Sequence, residues 1–341
     1  MQTPSLPAGA AAAAGTPGLV WRPYAGEADL ADATRVGNAE WEADGVSARA
    51  SVDEQRAWWS HPSEQFDPAR DVDIVEFDGR MVAIAERSWI DTSDGIREYR
   101  SRCWVDPSAR RRGIGAAMLR RNEAKARALA ATHDVDRPRA FGFGTADSSV
   151  GAPILAERSG YAPVRWFADM ERSLTDDLPE IPELPDGLEV RPASVDDAPA
   201  IWRADHDAFR DHWGGFDDSE ESYRRWIDSP DFQPDVMVVA WHGDEVAAAV
   251  INAVYAEENR QLNLKRGWLD SVFTRRAWRR RGLARALIVR SLHLLRDQGL
   301  EVAALGVDAD NPSGAYGLYE SAGFAVTERF TQWRKRMEGD S

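Results

Sequence analysis

Apolar positions fall at helical spacing over Asp29–Trp41 and Val52–Trp59, then give way to β-rich runs, Val72–Phe77 and Met81–Glu86, on either side of Asp78-Gly79. The succession returns later in the chain. Asp196–Phe209 and Ser219–Ile227 read as helices, and Val236–Trp241 and Glu245–Asn252 read as strands around His242-Gly243-Asp244. Two β-rich runs joined by a short glycine turn predict an antiparallel hairpin. A further strand follows in each half, ending near Cys103-Trp104-Val105 in the first and covering Gly267–Thr274 in the second. Beyond it come a basic glycine motif, a long amphipathic helix (Arg285–Gln298 in the second half), a strand (Val302–Val307) and a last helix closed by Gly-aromatic. Antiparallel strands leading into a βαβ-like end predict an α/β (α+β) fold with a mixed sheet.

The halves are copies of one another. Trp21-Arg22-Pro23 and Val190-Arg191-Pro192 open them; Arg22 and Arg191 stand 169 residues apart, as do Arg110 and Arg279 in the two basic motifs. The closing pairs Gly160-Tyr161 and Gly323-Phe324 stand 163 apart. Landmarks in the same order at nearly the same spacing indicate duplication. The segment 176–187, DDLPEIPELPDG, is acidic with three prolines and predicts a linker. The expected layout is a disordered leader over 1–18, a first domain over 19–175, the linker, and a second domain over 188–341.

Composition narrows the function. The 341 residues suffice for two cores. No apolar run approaches the roughly 20 residues that span a bilayer. The Ala/Pro/Gly-rich start lacks both a basic n-region and a strongly apolar h-region. One cysteine, Cys103, rules out a disulfide within the chain, which fits a cytoplasmic protein. A formal charge of −15 disfavours nucleic acid and mildly favours cationic substrates. The six histidines are scattered without ligand spacing, so no metal is expected.

The two basic motifs carry the first chemistry. Arg110-Arg111-Arg112-Gly113-Ile114-Gly115 and Arg279-Arg280-Arg281-Gly282-Leu283-Ala284 both fit Arg-x-x-Gly-x-(Gly/Ala) between a strand and a helix. Unpaired N–H groups and the positive end of the dipole make a helix start a seat for phosphates. Glycine permits close approach, and arginine adds charge-assisted hydrogen bonds. Neither copy ends in Gly-Lys-(Ser/Thr), which disfavours a nucleoside-triphosphate loop.

With these motifs the sequence resembles the GCN5-related N-acetyltransferase family over nearly its whole length, twice, in a tandem layout similar to mycothiol synthase-like acetyltransferases. The resemblance implies that both motifs cradle the pyrophosphate of acetyl-CoA. It also covers the run from Asp308 to Phe324, DADNPSGAYGLYESAGF. There it implies that Asn311 holds the pantetheine or the helix start, and that Tyr319 is the general acid. A phenol can protonate the thiolate that leaves when an amine attacks a thioester. Counting back from the closing glycines puts Ala156 opposite Tyr319 and Ser148 opposite Asn311. The first half therefore lacks the acid and is expected to be catalytically degenerate, whether or not it still binds acetyl-CoA.

The strand Gly267–Thr274 is implied to run alongside the pantetheine, with Val272, Phe273 and Thr274 at the cofactor and a backbone N–H near Val272 or Phe273 polarising the thioester carbonyl. Asp270, in alternation with Val272, is the first candidate for the base, ahead of Glu257 and Glu258. Asp211 and His212, in the loop after the first helix of the second half, are candidates for lining the acceptor site. Some of the fourteen tryptophans, such as Trp213 and Trp226, could shape a pocket. The reading that results is acetyl transfer from acetyl-CoA to a primary amine of a small molecule. A non-catalytic acyl-CoA-binding or regulatory module is the alternative, and an aminoacyl-tRNA-dependent acyltransferase is a third reading at the level of fold. The oligomeric state is not written in the sequence.

Overall fold

The computed structural model describes residues 18–210, 212–310 and 314–337. Asp211 and Asn311, and the leader expected over 1–18 apart from Gly18, lie outside the described residues. The chain forms two compact units. One holds the residues up to Arg165 together with those from Phe330 on, and the other is Trp166–Arg329.

In the first unit, β1 (Leu19–Pro23) precedes α1 (Glu27–Asp44), α2 (Val52–Trp58) and the short α3 (Pro68–Asp71). Then come β2 (Val72–Phe77), β3 (Arg80–Asp91), β4 (Arg97–Val105), α4 (Ile114–Ala130), β5 (Arg139–Ala146) and α5 (Ala152–Arg158). The sheet order is β1-β2-β3-β4-β5, completed by the end of β12 (Ala325–Arg336), whose Phe330–Arg336 pair antiparallel with β5.

The second unit begins inside β6 (Ala162–Ser173). It continues with β7 (Glu189–Arg191), α6 (Ala198–Phe209), α7 (Glu220–Ile227), β8 (Val238–His242), β9 (Glu245–Ala253), α8 (Ala256–Leu262), β10 (Arg266–Thr274), α9 (Leu283–Asp297), β11 (Val302–Asp308) and α10 (Ala315–Ser321). Its sheet order is β7-β8-β9-β10-β11, completed by β6, which pairs antiparallel with β11 over Phe167–Ser173.

Residue pattern explains the layering. β9 is buried on both faces: Val246, Ala249 and Ile251 pack with Ile201, Ala204 and Ala208 of α6, while Ala247, Ala248 and Val250 pack with Leu283, Leu287 and Ile288 of α9. Three alanines let the helices close on the strand from either side. In the first unit β3 plays this part, with Met81 and Ile84 toward α1 and Val82, Ala83 and Ala85 toward α4.

Three departures from the sequence reading have physical causes. β3 runs past Glu86 to Asp91, and Glu86 and Arg87 are buried and paired there: Trp59 Nε1 donates to Glu86 at 2.7 Å, and Arg87 meets Asp73 at 2.8 Å. The proline segment 176–187 has no helix or strand, as expected of a linker, but it lies within the second unit rather than between the two. Leu178 and Leu184 pack on that unit's core, and the Pro179 and Pro182 carbonyls are held by His293 and Arg290 of α9. The chain passes between units elsewhere, inside β6 and β12, so the domains are not the contiguous stretches 19–175 and 188–341.

Candidate active site

The site in the second unit grows from a gap in its sheet. β10 and β11 are parallel and paired only at Arg266–Trp268 with Val302–Ala304, although both strands run several residues further. Beyond Trp268 the facing edges are unpaired. The Arg275 N–H donates to the Ala247 carbonyl (3.0 Å) and Phe273 lies opposite Ala249, so the alternation of an antiparallel ladder gives the Phe273 N–H to β9. The N–H groups of Val272 and Thr274 face the gap instead. Of the N–H groups of Val272 and Phe273, that of Val272 is the one turned to the gap. At the end of the strand the Thr274 hydroxyl is buried and, among the described residues, has no hydrogen-bond partner.

The basic loop then turns into α9. Arg280 (φ 61°) and Gly282 (φ 77°) adopt left-handed conformations. Their counterparts Arg111 (64°) and Gly113 (79°) do the same, so both loops have one shape. Left-handed arginine costs on the order of 1 kcal/mol and marks a loop whose backbone path matters. Gly282 has no side chain to cap the helix, so the first N–H groups of α9, from Leu283 and Ala284, are turned outward. A Cβ built on Gly282 meets nothing within 4 Å, which leaves open space above these donors.

The arginines divide by task. Arg279 is spent on the fold: its guanidinium donates to the carbonyls of Thr274 (3.0 Å) and Ala208 (2.8 Å). Arg281 lies over the Trp278 ring at 5.1 Å, and Arg280 and Arg281 are exposed. A diphosphate on the helix start would meet these two rather than Arg279.

Tyr319 sits in α10 and is buried, with its ring 6.1 Å from Phe324. Burial pushes its phenol up to about 12, so the group keeps its proton at neutral pH. Among the described residues its hydroxyl has no hydrogen-bond partner. His212 lies beside the end of β11, its Nε2 3.9 Å from Asp308 and its ring packed on Phe209 and Phe216.

A pair of carboxylates lies on β10 and α6. The ladder shifts register between Leu269 and Ser271, so the alternation expected for Asp270 and Val272 is interrupted by a bulge. Asp270 accepts from the Tyr255 hydroxyl at 3.1 Å. Its side chain is exposed, and desolvation by the protein atoms around it raises its pKa. The next residue, Ser271, donates to Asp205 of α6 at 2.6 Å. Glu258 is buried and taken by Arg266 (2.8 Å) and Trp268 Nε1 (2.9 Å), and Glu257 is paired with Arg260.

The first unit repeats the gap and fills it differently. β4 and β5 pair only over Arg97–Arg100. By the same alternation the Val105 N–H faces the gap, but the Glu40 carboxylate of α1 accepts it at 2.7 Å. Arg110, the counterpart of Arg279, is held by Asp44 at 2.6 Å. Arg112 lies over Phe77 at 4.9 Å, and Ile114 and Gly115 begin α4. Desolvation pushes Glu40 up to about 7, and burial pushes the Cys103 thiol up to about 12, so it is no nucleophile at neutral pH. Ala156, fully buried, occupies the place of Tyr319: Tyr161 N–H donates to its carbonyl as Phe324 N–H donates to that of Tyr319.

Sequence reasoning missed Asp205, Ser271, Tyr255 and Glu40. Asp205 and Ser271 are 66 residues apart, and nothing local marks their meeting. Among the described residues no group of three His, Cys, Asp or Glu side chains could hold a metal, and no helix is long and apolar enough to cross a membrane.

Comparison with known proteins accords with this geometry. A profile of the acetyltransferase (GNAT) family matches residues 34–142 and 199–324. The mycothiol acetyltransferase of Catenulispora acidiphila is 29% identical over 90% of this chain and 95% of its own, and that of Geodermatophilus obscurus is 30% identical over 86% and 90%. Among solved structures, a GCN5-related N-acetyltransferase from Sphaerobacter thermophilus superposes with a TM-score of 0.67 at 25% identity, covering 95% of this chain and 98% of that one. A tandem GNAT protein from the clavulanic acid biosynthesis pathway has the same TM-score at 16% identity, over 95% and 100%, and shares the fold.

Proposed function

Because the chain belongs to the acetyltransferase (GNAT) family and is an acyltransferase, we propose that its second unit moves an acetyl group from acetyl-CoA to a primary amine of a small molecule by direct attack. The observation that carries this reading is the gap between β10 and β11 beyond Trp268, with the basic loop and the start of α9 following β10; the protonated Tyr319 of α10 supports it.

The donor's diphosphate takes the N–H groups at Leu283 and Ala284 with Arg280 and Arg281 beside them, and its pantetheine arm lies along Val272–Thr274. The Val272 N–H polarises the thioester carbonyl. Asp270 takes the proton that frees the amine lone pair. Nitrogen bonds to the carbonyl carbon and gives up its surplus proton to water, the C–S bond breaks, and Tyr319 gives its proton to the departing sulfur and is reprotonated from water. His212, beside the end of β11, faces the acceptor's side of this arrangement. The mycothiol acetyltransferases among the relatives and the negative charge of the chain favour a small amine-bearing acceptor over nucleic acid. The single thiol, Cys103, fits a cytoplasmic site of action.

The first unit we read as non-catalytic. It has alanine where the acid stands, and its own carboxylates cover the cradle.

Tyr319→Phe tests the chemistry. With acetyl-CoA and a panel of primary amines, thiol release by the variant should fall about 10²–10³-fold in kcat with little change in the KM for acetyl-CoA. A variant as fast as wild type would remove Tyr319 from the mechanism. A wild-type protein that releases no thiol with any amine, yet binds acetyl-CoA, would return the chain to the alternative of a binding module.

A further inference from the structure

A cavity of about 320 Å³ lies in the first unit between α3, β3, β4 and the second half of α4. That volume is in the range of small-molecule sites. Tyr99, Ala126 and Leu129 give it an apolar wall, and Arg70, Arg87 and Lys125 reach it from three elements. Asp71 lines it too, but is taken by Arg70 at 2.6 Å.

The cavity is separate from the covered cradle of the same unit. Tyr99 stands where β4 and β5 are paired, and Val105, six residues on and about 20 Å away, stands at the gap. On α4, Lys125 is eleven residues, about 16 Å, beyond Ile114.

The charges around the cavity do not balance. Arg87 (2.8 Å), Lys125 (2.8 Å) and Arg121 (3.2 Å) all meet Asp73 of β2, and among the described residues they meet no other carboxylate. Three cations on one carboxylate leave two positive charges over. Arg70 adds none to the surplus, because Asp71 matches it and Asp67 and Glu64 act on it from further off. Burial alone would lift Asp73, but Lys125, Arg87 and Arg121 hold its carboxyl below the usual range. Arg87 is buried, while Lys125 is partly exposed. Gathering surplus cations out of water is costly, and the cost is recovered where an anion joins them.

The duplicated unit serves as a control. Arg22 lies opposite Ile74 and Arg191 opposite Val239, so Asp73 corresponds to Val238 and Arg87 to Asn252. With Gly113 matched to Gly282, Asn122 and Lys125 correspond to Ser291 and Leu294. One contact is kept: Arg87 donates to Asn122 and Asn252 donates to Ser291, each at 3.1 Å. The charges are not kept. Val238 and Leu294 pack in the core of the second unit. One architecture therefore forms with either set, and the fold itself does not require aspartate, arginine and lysine at these positions.

We propose that this cavity binds a small organic carboxylate, with its charged group at Lys125 and Arg87 and its apolar body against Tyr99 and Leu129. The site would stand whether or not the second unit transfers acetyl groups.

Calorimetric titration of the full chain with butyrate and benzoate tests this, with benzamide as the neutral counterpart and inorganic phosphate as an anion without an apolar body. One of the two carboxylates should bind once per chain, more weakly as salt rises. Benzamide and phosphate should bind about tenfold more weakly or worse. Lys125→Leu places the second unit's residue at a partly exposed helix position and should weaken the carboxylate about tenfold. Arg70→Gln, at the rim, should weaken it severalfold and serves if Lys125→Leu does not fold. Saturating acetyl-CoA should leave the isotherm unchanged. The proposal is overturned if neither carboxylate binds by about 10 mM, if benzamide or phosphate binds as tightly, if the folded variants keep wild-type affinity, or if acetyl-CoA displaces the carboxylate.

Discussion

At Glu40 a backbone requirement and a charge meet. Its carboxylate accepts the Val105 N–H and lies 3.5 Å from Arg110, yet burial outweighs both and lifts its pKa to about 7 from 4.5. A raised carboxylate binds its proton more tightly in the folded state than in the unfolded state. Its contribution is therefore greatest below about pH 4.5 and is lost as pH rises toward 7, after which it is constant. Glu40→Gln keeps an oxygen for Val105 and removes the charge. Denaturant midpoints of the two proteins should diverge between pH 5 and 7.5, the variant gaining up to about 3 kcal/mol over wild type at the upper end. A constant difference across that range would show that Glu40 does not titrate in the folded protein. Some of this scale is legible in sequence. Tyr319 and Asp270 are named because they stand at fixed distances from a recognisable motif. Glu40, Asp205 and Ser271 are not, because their roles come from a helix laid on a strand some 65 residues away.

Elements show how nearly one design can yield two outcomes. The basic loops of the two units have the same left-handed residues, and the helices after them pack on the same kind of strand. The difference lies in the first helix. α1 runs 18 residues to a glycine cap and carries Glu40 and Asp44 to the gap, whereas α6 has 12 residues and ends at Phe209. Calorimetry with acetyl-CoA should therefore give one site per chain. Gly282→Trp, which adds bulk above the open N–H groups at a residue with φ 77°, should abolish it, and Gly113→Trp should leave the stoichiometry unchanged. Two sites in wild type would mean that Glu40 and Asp44 yield to the ligand. The helix–hairpin–helix order was readable from periodicity. The extension of β3 was not, since the partners that bury Glu86 and Arg87, Trp59 and Asp73, lie on other elements.

For the whole molecule, the repeat predicted two domains, but not which sheet would receive the last strand of each half. The runs 162–173 and 325–336 have strand composition, and composition does not name a partner. Truncation after Arg329 tests the arrangement found. It removes Phe330–Arg336 from β5, together with the buried Trp333, whose Nε1 donates to Thr145 at 2.9 Å, and Arg334, which neutralises Glu98. The first unit should lose its cooperative unfolding transition even though every residue up to Arg165 is intact. A cut within 176–187 should by contrast leave both sheets complete and the two fragments together at gel filtration. Fragments that separate without denaturant would contradict this.

The strand that finishes the second unit's sheet, Phe167–Ser173, is encoded directly after the last helix of the first half. No deletion of the first half as a whole can spare that sheet, and no gene for the second half alone would encode it. Any shortened chain meant to isolate the second unit must therefore begin before Phe167, inside the stretch that the duplication assigns to the first half.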